Sequence, residues 1–347
     1  MGEQRTDYLS FEEYFMSVTA LASLRNPKAY NGACLVDMQN RILSVGYDEI
    51  PYSIRKNHPA ADAYTVSALS NTLYSFKGRR GEFEGGTLYL SSFPGIQESR
   101  EIAQAHLKKV VYLIKDIKEE EEQIVRLILN CAGVTIFPYY NSTYSRDQYI
   151  QFLQEFKQVV KKHIGKSNSS FLTPDEYFMQ MAFLSALRSK DPSTQVGACL
   201  VNDQDQILSI GYNGAPYGMS DDILPWKSIG EKTGEFLKIK NPYVVHAEIN
   251  AFDNYRGNQD DLKNNRLYLL YSPCENCARR ISSAGLKKVT YLRAYQYDAA
   301  FKRSMDWLQK ANVVCQPYKE EREYSKEDSI RILSDTQKVI RKNLVYH

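Results

Sequence analysis

The amino-acid sequence contains the same long segment twice, and this repeat limits the fold more than any other feature. The stretch Leu9–Pro51 returns as Leu172–Pro216, and Leu88–Leu113 returns without a gap as Leu267–Leu292. Repetition on this scale indicates two copies of one folding unit rather than a single large domain. The chain is therefore predicted to contain one fold twice, in tandem.

The length of the chain agrees with this division. Its 347 residues exceed the usual size of one domain, and half of them suffice to bury a core. We predict a first domain over residues 1–164 and a second over residues 165–347, with a small polar linker that starts at Gly165. The N-terminus is polar and no apolar run reaches about 18 residues, so we expect a cytoplasmic protein that does not cross a membrane.

Each copy combines helical and strand patterns. Ser10 with Glu13, and Thr173 with Glu176, form capping boxes of the kind that begin a helix. Two short apolar runs around a polar turn follow in each copy and predict a β-hairpin. Later strand-like runs alternate with helical ones, which implies parallel pairing through crossovers. We expect an α/β fold in which each half has a mixed sheet of roughly five strands flanked by helices.

The second copy carries the pattern of a catalytic metal site. His246-x-Glu248 is followed by Cys274-x-x-Cys277. One imidazole and two thiolates supply three protein ligands, and a zinc held by three ligands keeps its fourth position for water. Glu248 can move protons beside that water. This combination is the signature of the zinc-dependent nucleobase deaminases, and we expect one zinc per chain.

The same residues have simpler interpretations. Cys274 and Cys277 alone could be half of a structural zinc site or a redox pair, and a lone histidine is more often a core residue than a ligand. Glu248 favours the catalytic interpretation, because a structural site needs no proton carrier and normally has four protein ligands. Cys34 and Cys199 occupy the same strand position in the two copies and are predicted to be small buried apolar residues.

Further motifs of the second half are similar to those of the deoxycytidylate (dCMP) deaminase family, within the cytidine deaminase-like superfamily. The resemblance covers most of that half. The segments that carry it are Glu176–Met179, Arg188–Pro192, Gln195–Cys199, Gly211–Pro216, Ser220–Asp222 and Leu224–Trp226.

The resemblance implies a reaction and a set of site residues. It implies that dCMP is hydrolysed to dUMP and ammonia, with zinc activating water for attack at C4 while Glu248 protonates N3 and then the leaving group. Asn213 is implied to help hold the nucleotide sugar. Ser220, Asp221 and Asp222 are implied to lie near a site for dCTP or dTTP as effectors, which would bring Mg²⁺ with them. Members of this superfamily generally associate, so we expect a homo-oligomer.

Two basic residues precede the hairpin of the second half. Arg188 and Lys190 are candidates for contact with the substrate phosphate, because a basic pair suits a dianion. The alternative is a solvated helix end.

The first half has lost the chemistry at the matching positions. It has no His-Cys-Cys set there, and an oxygen-rich metal site is the alternative that these residues leave open. We predict a non-catalytic structural or regulatory partner, with a relic domain as the alternative. The four residues at the places of the ligands and the glutamate are Asp62, Tyr64, Gly95 and Glu98.

Other functions remain to be distinguished. A dCTP deaminase and a deaminase of DNA or RNA, acting on cytidine or adenosine, share the zinc motif. The tandem layout and Ser272 before Pro273-Cys274 agree with a polynucleotide enzyme, whereas the net charge of +3 lacks the basic track that such a substrate needs. A third alternative is a binding module with structural zinc, and Glu248 argues against it.

Overall fold

The computed structural model describes most of the chain. Within the described ranges, every helix is too short or too polar to cross a lipid bilayer. The described residues are 3–51, 64–141, 144–169, 171–227, 239–295, 298–320 and 322–345.

The first half is a mixed five-stranded sheet with helices on both faces. Its elements are α1 (Phe11–Ser23), β1 (Gly32–Val36), β2 (Ile42–Tyr47), α2 (Ala68–Ser75), β3 (Thr87–Ser92), α3 (Ile96–Gln104), β4 (Lys109–Ile114), α4 (Glu119–Cys131), β5 (Thr135–Pro138) and α5 (Arg146–Ile164). The strand order is β2-β1-β3-β4-β5. β1 pairs antiparallel with β2 and β3, and the remaining pairs are parallel.

The second half repeats this topology, which confirms the predicted fold class. Its elements are α6 (Pro174–Ala186), β6 (Gly197–Val201), β7 (Ile207–Tyr212), α7 (Ala247–Asn254), β8 (Arg266–Tyr271), α8 (Glu275–Ser283), β9 (Lys288–Arg293), α9 (Ala299–Lys310), β10 (Val314–Pro317) and α10 (Lys326–Leu344). The strand order is β7-β6-β8-β9-β10. Even the irregularity in the first hairpin recurs, between Leu35 and Val36 and between Leu200 and Val201.

One hydrophobic core joins the two halves. Helices α1, α5, α6 and α10 pack against each other and against the sheets, and one cluster of buried side chains draws on both halves, including Phe15, Phe152, Phe178 and Ile340. On its other face, each sheet has a separate cluster of buried apolar side chains. In the first half this cluster lies beneath α2, α3 and α4, and in the second half it lies beneath α7, α8 and α9. The linker follows α5 as expected, but the division into two domains stays a prediction because buried side chains pack across it.

Both predicted capping boxes are present at the starts of α1 and α6. Glu176 does more than cap its helix. Its buried carboxylate accepts hydrogen bonds from Lys161 Nζ at 2.7 Å and from the backbone N–H groups of Lys166, Ser167 and Thr173. Burial opposes ionisation of this carboxyl, but the ammonium and the three N–H donors outweigh burial and hold its pKa below the usual range. Glu176 therefore ties the end of α5 and the linker to the start of α6.

Replacing Glu176 with glutamine is expected to lower the free energy of unfolding by about 2 kcal/mol at pH 7, because an ionised acceptor of several hydrogen bonds is lost. Folding lowers this pKa, so the stabilisation is fully present above the unfolded value of about 4.3 and is lost as the pH falls through the folded value. Urea unfolding should separate wild type and variant at neutral pH and bring them together in acid. A difference that is constant with pH would contradict the role of the charge.

Candidate active site

The predicted zinc ligands come together at the starts of two helices. His246 immediately precedes α7, Cys274 immediately precedes α8, and Cys277 lies in the first turn of α8. The Nδ1 atom of His246 is 3.6 Å from Cys274 Sγ and 3.4 Å from Cys277 Sγ. The three ligand atoms lie within 4.8 Å of one another and form the metal-binding cluster found among the described residues.

The geometry and chemistry of these donors fit zinc. Nitrogen and sulfur ligands at ordinary bond lengths in a tetrahedron stand about 3.6 Å apart, close to both observed distances. The ligands lie at the positive ends of α7 and α8, which favour a thiolate over a thiol. Contacts with the Cys277 thiol and the His246 ring lower the pKa of Cys274 to about 3. Two sulfurs and one imidazole suit a borderline-soft divalent cation.

Glu248 stands beside these donors, in the first turn of α7. Its side chain is buried and lines the same cavity as His246 and Cys274. Burial raises the pKa of its carboxyl, which brings its proton exchange closer to neutral pH than that of an exposed glutamate. A carboxyl in this position can deliver protons to a molecule in the cavity and remove them.

The cavity beside the cluster has a volume of about 480 Å³. This volume is within the range of sites that enclose small organic ligands. Its wall mixes apolar, aromatic and polar groups, as a ligand with a flat ring and several polar substituents requires. Beyond the cluster itself, the wall includes Asp191, Thr194, Val196, Asn213, Lys240, Asn241, Val244, Tyr271, Ser272, Tyr295 and Phe301.

One wall of the cavity is held by Asn213 and Asp191. Asn213 Oδ1 accepts a hydrogen bond from Val196 N at 2.8 Å, and Asn213 Nδ2 donates to Thr194 O at 2.9 Å and to Asp191 Oδ2 at 3.2 Å. Asp191 Oδ1 accepts from the N–H groups of Ser193 and Thr194. Residues 191–196 are thereby fixed against the end of β7.

Lys240 adds a buried cation to this wall. Its Nζ contacts Asp191 Oδ2 and donates to Ser193 Oγ at 2.7 Å. Lys240 was not predicted as a site residue, because its partners Asp191 and Ser193 lie far away along the chain. Its position shortly before His246 was the one available signal.

Comparison with known proteins decides the family. Residues 172–293 match the model of the cytidine and deoxycytidylate deaminase zinc-binding region. Human deoxycytidylate deaminase is 47% identical over 134 residues, which are 39% of this chain and 72% of the human protein. The chain belongs to the deoxycytidylate deaminase family.

A second curated relative and a solved structure are also similar to this chain. A probable deoxycytidylate deaminase of Drosophila melanogaster is 45% identical over 137 residues, which are 39% of this chain and 66% of the fly protein. The crystal structure of the cyanophage S-TIM5 dCMP deaminase in complex with dCMP and dUMP is 29% identical, with a TM-score of 0.35, and the match covers 42% of this chain and 98% of the phage chain. The zinc-binding region matched by the family model contains His246, Cys274 and Cys277.

Arg188 and Lys190, the predicted phosphate contacts, are absent from the described residues that line this cavity. Arg188 is buried, and its guanidinium donates to Leu9 O of the first half. Lys190 Nζ lies 3.7 Å from Asp221 and 3.5 Å from Asp222. Both cations have protein partners, and their contact with a phosphate stays a prediction.

The segment implied to bind effectors lies beside the first half of the deaminase. Ser220 precedes the short 3-10 helix Asp221–Ile223 and accepts a hydrogen bond from Asp222 N. Asp222 Oδ1 accepts a hydrogen bond from Gln4 Nε2 at 2.9 Å. An effector role of Ser220, Asp221 and Asp222 stays a prediction.

In the first half, Gly95 precedes α3 in the way that Cys274 precedes α8. Glu98 turns back and accepts a hydrogen bond from Gly95 N at 2.9 Å, so it caps its own helix. Tyr64 is largely exposed. Asp62 lies outside the described residues. The described residues at this place in the deaminase supply a helix cap in place of thiolate ligands.

Proposed function

We propose that the chain is a zinc-dependent enzyme that hydrolyses dCMP to dUMP and ammonia, a reaction of pyrimidine deoxynucleotide metabolism. The observation that carries the proposal is the cluster of His246, Cys274 and Cys277 beside the buried Glu248, at a cavity of about 480 Å³. The identity to human deoxycytidylate deaminase supports the choice of substrate.

The proposed chemistry divides between the metal and one carboxyl. Zinc, held by His246, Cys274 and Cys277, would supply activation of water for addition at C4 of the cytosine ring. The Glu248 carboxyl gives its proton to N3 as the ring loses its aromatic bond order, and it takes a proton from the water. It then passes this proton to the amino group and accepts the proton of the C4 hydroxyl, so that ammonia leaves, C4 becomes a carbonyl and the carboxyl is restored. The buried position of Glu248 keeps its proton from bulk solvent during these transfers.

Asn213 is proposed to help bind the nucleotide sugar indirectly, by fixing the cavity wall formed by residues 191–196. Both polar atoms of its side chain are bonded to residues 191–196. Asn213 therefore sets the position of backbone groups that face the ligand.

Lys240 is proposed to meet the substrate phosphate. An ammonium has three N–H donors, and Asp191 and Ser193 account for two of them. The third can reach an oxygen of a ligand in the cavity that Lys240 lines. A charge-assisted hydrogen bond of this kind favours a phosphorylated substrate over a nucleoside.

Replacing Lys240 with methionine is expected to raise KM for dCMP about tenfold or more, because a hydrogen bond to a charged group is lost. The activity on deoxycytidine, which has no phosphate, should change much less. Lys190→Met is the matched control and should leave KM for dCMP within about twofold. Equal losses on nucleotide and nucleoside in the Lys240 variant, with an intact melting transition, would contradict the phosphate contact.

The proposed function is tested by following ammonia release and the loss of cytosine absorbance with the purified protein. The substrates are dCMP, dCTP, deoxycytidine and a cytosine-containing single-stranded DNA, each with and without dCTP or dTTP as effector. Preference for dCMP is the expected result. Activity confined to dCTP or to the oligonucleotide would replace dCMP by that substrate, and activity on none would contradict the proposal.

We also propose that the first half is non-catalytic. Gly95 offers no ligand atom where the second half has Cys274, and Glu98 is engaged as a helix cap. A role of this half as structural or regulatory partner, effector binding with Mg²⁺, homo-oligomer formation and a cytoplasmic location stay predictions.

A further inference from the structure

The contacts between the two halves are reciprocal. Arg25 and Arg188 occupy equivalent positions in the repeat, as do Leu9 and Leu172. Arg25 donates to Leu172 O, and Arg188 donates to Leu9 O. Exchange of equivalent contacts in both directions is the property of an isologous, two-fold interface.

The reciprocity extends to the surroundings of these contacts. Arg25 lies over the rings of Tyr47 and Tyr177, one from each half. Arg188 likewise lies over Phe11 and Tyr212, one from each half. Tyr47 and Tyr212 are equivalent positions, whereas Phe11 and Tyr177 are not, and Arg188 also lies over Tyr8. The two arginines therefore share the exchanged backbone contact and one equivalent ring, and Arg188 is the more buried of the two.

Helices α5 and α10 show the same exchange. Tyr324 donates its hydroxyl proton to His163 O, and Tyr144 donates to Asn343 O at the equivalent position. Two further ion pairs match in the same way: Lys162 with Asp335, and Lys342 with Glu155. The first half thus packs on the second as one subunit packs on another in a symmetric dimer.

The N-terminal segment departs from this symmetry. Arg5 N donates to Lys190 O at 2.9 Å, and Leu9 N donates to Leu187 O at 3.0 Å, so residues 5–9 run along residues 187–190. In the second half, Ser167 and Asn168 take the places of Gln4 and Arg5, and the backbone N–H of Ser167 donates to Glu176 of the same half. Residues 5–9 of the first half therefore contact residues 187–190 of the second half, whereas Ser167 of the second half contacts Glu176 of its own half.

The segment held in this way leads directly to the cavity. Ser189 Oγ donates to Asn213 O at 2.9 Å and accepts from Asp191 N at 3.3 Å. Asp191 and Asn213 both line the cavity, and Asp191 pairs with Lys240. A short path of hydrogen bonds joins the interface to the substrate-facing wall.

We propose that Arg188, held by Leu9 of the first half, is a positioning residue for the wall formed by residues 191–196. The first half thereby completes the active site of the second without contributing a group that touches substrate. The inference rests on the proposed function for its kinetic part. Loss of the contact lets the wall shift, and a shift of about 1 Å in a binding group can cost a hundredfold in rate.

The matched position in the first half supplies the control. Arg188→Ala and Arg25→Ala remove the same side chain and the same backbone contact from equivalent positions in the repeat, and urea unfolding measures the loss of stability in each. Arg188→Ala is expected to lower kcat/KM for dCMP at least about tenfold, mainly through KM, because the wall binds the substrate and α7 is untouched. Arg25→Ala should stay within about twofold, since its contact leads away from the cavity. Zinc content should remain equal in both.

A readout independent of turnover separates this inference from the proposed function. Amide hydrogen exchange at residues 191–196 should become faster in Arg188→Ala and stay unchanged in Arg25→Ala. If wild type deaminates no cytosine substrate, the proposed function fails and the exchange comparison still decides the positioning role. If Arg188→Ala does not fold, Arg5→Ala replaces it, because Arg5 Nη1 donates to Leu187 O and Ser189 O at 3.4 Å. Equal kinetic losses at positions 188 and 25, or unchanged exchange at residues 191–196, would overturn the inference.

Discussion

Replacing Glu248 with glutamine is expected to lower the turnover of dCMP about 10²- to 10⁴-fold, the usual contribution of a general acid and base. The amide keeps the shape of the side chain and some of its hydrogen bonding, but it cannot carry a proton between water, N3 and the leaving amino group. Since Glu248 lies outside the His246, Cys274 and Cys277 donor set, the variant should retain about one zinc per chain.

The measurement combines single-turnover absorbance with metal analysis of the same sample. Glu275→Gln is the matched control, because this carboxylate also lies in the first turn of a helix at the site but pairs with Arg303 at 2.6 Å. Its turnover should remain within about twofold of wild type. Normal turnover in the Glu248 variant would remove its role as proton carrier. Loss of zinc together with turnover would show that Glu248 holds the metal site together.

Replacing Gly211 with alanine is expected to lower the free energy of unfolding by about 3 kcal/mol or more. Gly211 lies on β7 directly beneath α7, and an added Cβ would come closer than 3.0 Å to the backbone of Ala247 and Ala251. Backbone cannot rotate away as a side chain can, so α7 must move outward. Because His246 and Glu248 sit at the start of that helix, zinc affinity should fall together with stability.

The first half again provides the comparison. Gly46 is the equivalent glycine on β2, and a Cβ there would approach Ala68 O and Thr72 of α2 equally closely. Gly46→Ala should therefore shift the urea midpoint by a similar amount and leave zinc affinity unchanged. An unchanged midpoint in Gly211→Ala would contradict the packing, and zinc loss from both variants would show that the metal site depends on overall stability alone.

Local patterns predicted the topology, and they pointed to the three donors that the structure brings together in a candidate metal site. The hairpins, the capping boxes at Ser10 and Thr173 and the alternation of strands and helices are all decided by neighbouring residues. The predicted zinc ligands could also be found from the sequence, because His246 and the pair Cys274 and Cys277 each stand at the start of a helix that follows a strand or loop. Short-range chemistry of this kind is visible without coordinates.

Contacts between distant parts of the chain were not visible. The contact of Arg188 with Leu9 O was not predicted, because Leu9 belongs to the other half. Lys240 was missed because its partner Asp191 belongs to a different loop. In both cases the sequence shows that the side chain is charged. The packing of distant segments determines whether a protein group or a ligand pairs with that charge.

The core that spans α1, α5, α6 and α10 restricts which amino-acid substitutions the first half can accept. We propose that the first half is non-catalytic, and on that proposal its residues at the places of the zinc ligands are free to vary, because the reaction does not depend on them. The apolar faces of its helices have no such latitude, since they form part of the interior on which the catalytic sheet rests. Substitutions on those apolar faces are therefore expected to destabilise the half that carries the candidate active site together with their own half.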